Sequence, residues 1–246
     1  MLMKLALALV ASATALAAPL GNEHVKRGGD LTAALKAADT AAERNQLLAA
    51  TGNSSFMFDF ANPPAAAVIS TPPGKLISAN PTTAPFLVDI DFSMAVVEVG
   101  PCGLILPHLH PRNEEFILVT QGEFVTQFIQ ETGAALITND LKQWGATLFP
   151  RGSIHLEYNP TCSPSTFIAA FNGGDPGISF IAANFFSLEE QLVIANLGGE
   201  TVVSGQDLAT IEHAIPAGIA VGVQECLTKC GIKPNKKRSL VEALTS

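Results

Sequence analysis

The chain has 246 residues, 48% hydrophobic and 15% charged, with one Trp and a formal net charge of -8. That apolar content supports a sizeable core and excludes wholesale disorder. The acidic balance, with no basic face in the body of the chain, excludes a phosphate-backbone binder and so nucleic acid as a partner.

Residues Met1 to Ala18 read MLMKLALALVASATALAA, a single Lys4 ahead of a short apolar run. Ala15-Leu16-Ala17 supplies the small-x-small pattern of a signal-peptidase site, so residues 1–18 are expected to be a signal peptide. The run is too short and too Ala-rich for an anchor, and no later segment approaches the ~18 apolar residues that a spanning helix needs. The expectation is a soluble, secreted protein, extracellular or in the cell wall, with no membrane partner. Lys26-Arg27 is a dibasic pair at which a pro-region ending at 27 would be processed, and His24 lies in that leader.

Asp30 to Ala50 is rich in Ala and Leu, with Asp30 placed as a cap, and reads as one helix within an N-terminal extension over 19–53. Asn53-Ser54-Ser55 is a glycosylation sequon on Asn53, whereas Asn80-Pro81-Thr82 is blocked by its proline. Prolines then punctuate the chain to Pro85. From Phe86 to Phe186 short β-branched and aromatic runs alternate with Gly, Pro, Asn and Asp breaks: Ala95–Val99, Phe116–Val119, Phe124–Ile129, Ala146–Phe149, Thr166–Phe171 and Ile178–Phe185. Short strands at this spacing predict an all-β sandwich or barrel, here over 54–198. Helical pattern returns after Ser187, and Ser204 is placed as an N-cap of a further helix. Residues 199–246 therefore read as a C-terminal helical segment, ending in a basic tail with Lys236, Lys237 and Arg238.

Four cysteines in an oxidising compartment suggest two bridges, for which three pairings exist. Cys226 and Cys230 are four apart and close enough to meet locally, which leaves Cys102 with Cys162.

The stretch PHLHPRNEEF, Pro107 to Phe116, carries the chemistry. His108 and His110 at i and i+2 share one face of a strand, so both imidazoles reach one ion. Glu115 opens the next strand, expected to return antiparallel alongside the first, while Glu114 points away. Downstream, Pro150 and Gly152 form a tight turn just before His155. Three imidazoles and one carboxylate suit Mn, Fe, Zn or Cu. With no thiolate and open positions left over, Mn or Fe is favoured over a closed structural Zn. Glu157, two residues after His155, is able to face inward; His213 reads as a surface residue.

The segment from Gly103 through His108, His110 and Glu115 to Gly122 resembles the first motif of the germin-like cupins. WGATLFPRGSIHLEYN resembles the second, with Pro150, Gly152, His155 and Asn159 in place. The leading glycine of each motif falls one residue late, because Cys102 and Trp144 occupy the expected positions. FNGGDPGISFIAANFFSL and CLTKCG extend the resemblance to the secreted spherulin-type members over roughly Ser54 to Ile232. It implies a single cupin β-jelly-roll over 54–198 with helical flanks, four metal ligands (His108, His110, Glu115, His155) and assembly as a homo-oligomer, from dimer to hexamer.

It also implies manganese, with Fe and Zn as alternatives, and an oxidoreductase acting on a small anion, superoxide or oxalate. The alternative is a non-catalytic metal-binding spore-coat, cell-wall or storage protein. In plant oxalate-oxidising germins, asparagines assist at positions matching Ala95 and Ile105, both apolar here. Leu104, Ile105, Leu106, Leu109, Phe116 and Phe149 then predict an apolar setting for the ion, with Arg112 and Asn113 as polar substrate contacts near the mouth. A bridge between Cys102 and Cys162 would staple that mouth.

Overall fold

A computed structural model describes residues 28–71, 73–199, 202, 204–216, 218–221 and 223–233. The expected signal peptide, Lys26-Arg27, His24 and the basic tail lie outside the described residues. Two-residue alternation of buried and exposed side chains organises the centre of the chain into strands, as in β3 (Ser93–Val99), β5 (Glu115–Gln121) and β10 (Ser165–Phe171). With β1 (Val68–Thr71), β2 (Gly74–Ala79) and β8 (Ala146–Phe149), they form one antiparallel sheet in the order β1-β2-β3-β10-β5-β8.

The second sheet holds β4 (Gly103–Leu109), β6 (Glu123–Ile129), β7 (Ile137–Lys142), β9 (Ile154–Tyr158) and β11 (Ser179–Phe180), in the order β11-β4-β9-β6-β7. A further strand, β12 (Ile219–Val221), also pairs with β4. The inward faces of the two sheets share one core, in which Val97, Ile117, Val119 and Phe167 from the first sheet meet Ile105, Phe124 and Leu141 from the second. Phe124 and Phe167 pack edge to face at 5.0 Å across it. This is the all-β jelly-roll with helical flanks that the sequence predicts.

Several elements depart from expectation. Residues 30–50 form two helices, α1 (Gly28–Ala37) and α2 (Ala41–Ala50), rather than one. Thr40 is extended, its hydroxyl accepts from the Glu43 N–H at 3.1 Å, and the Glu43 carboxylate accepts from the Asp39 N–H. That reciprocal capping restarts the helix, and Asp30 falls inside α1 instead of before it. The expected strand Ile178–Phe185 is a two-residue strand followed by helix α3 (Ile181–Phe186). Helices α4 (Glu190–Asn196) and α5 (Gly205–Ala214) follow as expected, with Ser204 and Asp207 forming a capping box at the start of α5. His213 and Asn53 are exposed.

The disulfides overturn the expected pairing. Cys102 is joined to Cys226 and Cys162 to Cys230, with Cα separations of 5.7 and 5.2 Å. Cys226 and Cys230 both lie on α6 (Gln224–Cys230), one turn apart. Side chains at i and i+4 stand side by side on a helix face instead of pointing at each other. Both therefore reach outward, to the neighbouring Cys102 and Cys162 segments, which a Cys102 N–H to Thr161 carbonyl bond of 3.1 Å holds together. The bridges touch, with Cys102 Sγ 3.6 Å from Cys230 Sγ. They fasten α6, and β12 just ahead of it, against the barrel.

Candidate metal centre

Strands β4 and β9 run antiparallel with His108 directly opposite His155. Strict alternation from the inward Ile105 would turn His108 outward, because the two are three positions apart. A register irregularity between Ile105 and His108, spanning Leu106 and Pro107, resets the alternation. Ile105, His108 and His110 are then all buried. Glu115 arrives differently from expectation: β5 does not lie alongside β4 but belongs to the opposite sheet. Its side chain crosses the interior from there, so the cluster bridges the two sheets.

The four side chains are buried and their nearest ligand atoms all lie within 4.8 Å of one another. Glu115 Oε2 is 3.1 Å from His110 Nε2 and 3.0 Å from His155 Nε2. Each imidazole has its other nitrogen against a backbone carbonyl: His108 Nδ1 on Leu106 at 2.9 Å, His155 Nδ1 on Ser153 at 2.9 Å, and His110 Nδ1 on Gly177. Carbonyls only accept, so each Nδ1 carries a proton and each Nε2 is left facing the centre. Phe149, opposite Glu115 on β8, stacks on the His155 ring at 4.3 Å and 11°.

Burial, reinforced by the neighbouring His155, lowers the His108 pKa to about 3, against a smaller opposing pull from Glu115. Burial pushes Glu115 up, but hydrogen bonds from His110 and His155 outweigh it and hold the carboxyl well below its ordinary value. A neutral His108 and an ionised Glu115 are the protonation states in which these groups bind a cation.

Backbone geometry links the two motifs. Gly152 has φ +74° and its N–H donates to the His110 carbonyl at 2.9 Å, which ties the Pro150–Gly152 turn to the first motif. Asn159, fully buried, donates from Nδ2 to the carbonyls of Val99 and Ser163, and its Oδ1 accepts from the Thr161 N–H. Cys102 and Trp144, which stand where the resemblance expects glycine, have φ of +54° and +69°. The left-handed backbone is kept although the residue that adopts it without strain is gone.

The cluster opens onto a cavity of about 1240 Å³ that extends to the exposed Lys36, Asp39 and Asp89 at the N-terminal helices. Ala95 and Ile105 line it as expected. Arg112 and Asn113 do not. Arg112 pairs with the Asp175 carboxylate and main-chain carbonyl, both at 2.7 Å, and Asn113 donates to the Asn172 carbonyl at 2.9 Å. Both residues hold the loop that brings the Gly177 carbonyl to His110. Gly177, at φ +69°, leaves no room for a Cβ beside Arg112.

Of the six apolar residues expected around the ion, only Ile105 and Phe149 face the interior. Leu104, Leu106 and Leu109 lie on the other face of β4, and Phe116 is 48% exposed. The apolar wall comes instead from Leu76, Val97, Phe167, Ala169, Phe171 and Ile219. Glu114 turns away, to Arg151 at 3.1 Å and to Asn172. Glu157 faces the cavity, fully buried, with neither carboxylate oxygen hydrogen-bonded. Burial, then the neighbouring Glu115, raise its pKa well above the ordinary value. Its i+2 relation to His155 was the signal that put it inside.

The two packed antiparallel sheets and the paired motifs define a class: residues 58–206 match the cupin family, and the chain belongs to it. Its relatives include spherulin-1A of Physarum polycephalum, 35% identical over 202 residues that make up 82% of this chain and 79% of that protein. A germin-like protein of subfamily 2 (member 2) from Arabidopsis thaliana is 36% identical over 55% of this chain and 62% of its own length. An oxalate oxidase in complex with the substrate analogue glycolate superposes with a TM-score of 0.58 over 66% of this chain and 81% of that one, at 20% identity, which establishes a shared fold.

Proposed function

We propose that this chain is a secreted, metal-binding germin-like cupin whose His108, His110, Glu115 and His155 hold a divalent redox-capable ion, manganese first, for oxidoreductase chemistry on a small ligand. One observation carries the reading: four buried ligand atoms converge within 4.8 Å with all three Nδ1 atoms occupied by carbonyls. A nitrogen–oxygen set without thiolate suits Mn or Fe, and four protein ligands leave coordination positions for substrate. When bound, such an ion would supply one-electron chemistry. The protein's part is to orient the imidazoles, keep the carboxylate ionised and enclose the ligand.

Two paired disulfides support an oxidising, extracellular location. No described helix is long and apolar enough to cross a membrane. The oxalate oxidase likeness makes a small oxygen-bearing anion the first substrate class to test. The apolar Ala95 and Ile105, however, put no hydrogen-bond donor in the wall where a dianion would need one. That observation favours a second reading, a metal-holding coat or wall protein without oxalate turnover. Metal analysis of the secreted protein, followed by oxalate and superoxide assays on manganese-loaded material, separates them. A protein isolated without stoichiometric metal, and unable to take it up, overturns both.

A further inference from the structure

Within the cavity, Glu157 is a fully buried carboxylic acid that the four-ligand cluster does not use. It stands on β9 two residues after His155, is 1% exposed, and neither carboxylate oxygen has a hydrogen-bond partner. Neither cross-strand neighbour bonds to it: Ile105 has no side-chain donor, and the Thr126 hydroxyl, which accepts from Asn139 Nδ2 at 3.4 Å, makes no bond to Glu157. An unpaired buried polar group costs about 1–3 kcal/mol, more if charged, and a leucine of similar size in that apolar wall would carry no such penalty. Ligand sites combine an apolar wall with a few polar groups that fix orientation. Here Leu76, Val97, Phe167, Ala169 and Ile219 provide the wall, in a cavity of about 1240 Å³. That is many times the volume of a two-carbon anion and suits an organic ligand of medium size.

Resting on the reading of this cavity as the metal-bearing site, we infer that Glu157 is the specificity-determining residue for a largely apolar, uncharged ligand bearing a hydroxyl group. The ligand's O–H donates to a Glu157 oxygen, which accepts whether the carboxyl is ionised or protonated. The body of the ligand lies along the apolar wall, beside the imidazole cluster.

The test uses 4-propylphenol and its methyl ether, 4-propylanisole, which match in shape but differ in the donor. Dissociation constants are measured by calorimetry on the full secreted chain, both manganese-loaded and metal-stripped. The wild type should bind the phenol about tenfold tighter than the ether, in both forms, as one hydrogen bond to an otherwise unpaired group gives. Glu157→Leu should bring the ratio to about one. Glu157→Gln, whose amide oxygen still accepts, should retain most of it. Equal affinities in the wild type, or an unchanged ratio in Glu157→Leu, overturn the inference, and the wild-type ratio decides alone if that variant does not fold. Metal content of the same samples keeps the two readings apart. A wild type that cannot hold manganese sinks the metal centre, whereas full metal with no preference for the phenol sinks only the role of Glu157.

Discussion

Glu115 and His155 meet at 3.0 Å although they stand on opposite sheets of the barrel, with forty positions of chain between them. The contact closes a polar bridge across an otherwise apolar interior. In the metal-bound protein that bridge would be made through the ion, and the sheets would be fastened at this end.

Metal removal should therefore loosen the whole fold. A ligand present at a thousandfold over its dissociation constant stabilises by about 4 kcal/mol, or roughly ten degrees in Tm for a chain of this size. Scanning calorimetry before and after chelation checks this, and coincident Tm values would count against a metal that spans the sheets. Glu115→Gln should weaken manganese binding by at least about tenfold. Glu114→Gln, which loses only contacts to Arg151 and Asn172 on the outside, should leave it within about twofold.

The lowered His108 pKa should make acid destabilising in the metal-free protein, against the opposite contribution of the raised Glu157. The His108 pKa falls from its ordinary 6.5 to about 3 in the folded state. Between those values the unfolded chain binds a proton that the folded chain does not, so this contribution is fully present above pH 6.5 and is lost as pH falls towards 3. The slope from this one group reaches about 1.4 kcal/mol per pH unit. The lowered Glu115 adds the same sign below its ordinary 4.5. Urea midpoints of metal-stripped Glu157→Gln protein, which lacks the opposing contribution of that raised carboxyl, should fall in order at pH 7, 5.5 and 4.5; a flat series would show that His108 is not held neutral.

The bridges should be found as Cys102–Cys226 and Cys162–Cys230 in peptides from non-reduced protein. A fragment holding Cys226 joined to Cys230 alone would contradict the fold at α6. Replacing Cys102 and Cys226 by Ser removes the bridge with the larger sequence separation, 124 residues, and should cost about 3–5 kcal/mol.

Trp144 should be replaceable with profit. It is 69% exposed, its φ is +69°, and its N–H is committed to the Val119 carbonyl at 2.8 Å. Glycine adopts that backbone without Cβ strain, so Trp144→Gly should stabilise by about 0.5–1 kcal/mol, partly offset by the freer unfolded chain. A rise of a few degrees in Tm checks it. A fall would mean that the indole packs on a surface beyond this chain.

Local chemistry was legible before any fold was known. The i, i+2 spacing puts His108 and His110 on one face and places Glu157 inside with His155. Alternation marked most of the strands, and the Ser204 cap marked the start of α5. Less legible were features that depend on a neighbour. Residues 178–185 carry strand-like composition yet turn into α3, and the break at Thr40 shows only through its capping bonds with Asp39 and Glu43.

By itself, then, the sequence determined the donor set of the candidate site and the β class, because strand periodicity and motif spacing are properties of consecutive residues. Tertiary structure alone decided three things. Glu115 comes from across the barrel, because β5 crosses to the other sheet. Arg112 and Asn113 serve a loop instead of a ligand, because Asp175 and Asn172 are folded against them. The cysteines of α6 pair outward, because side chains one helical turn apart lie parallel and cannot face each other. Each is a matter of direction between segments distant in sequence, which spacing along a chain does not encode.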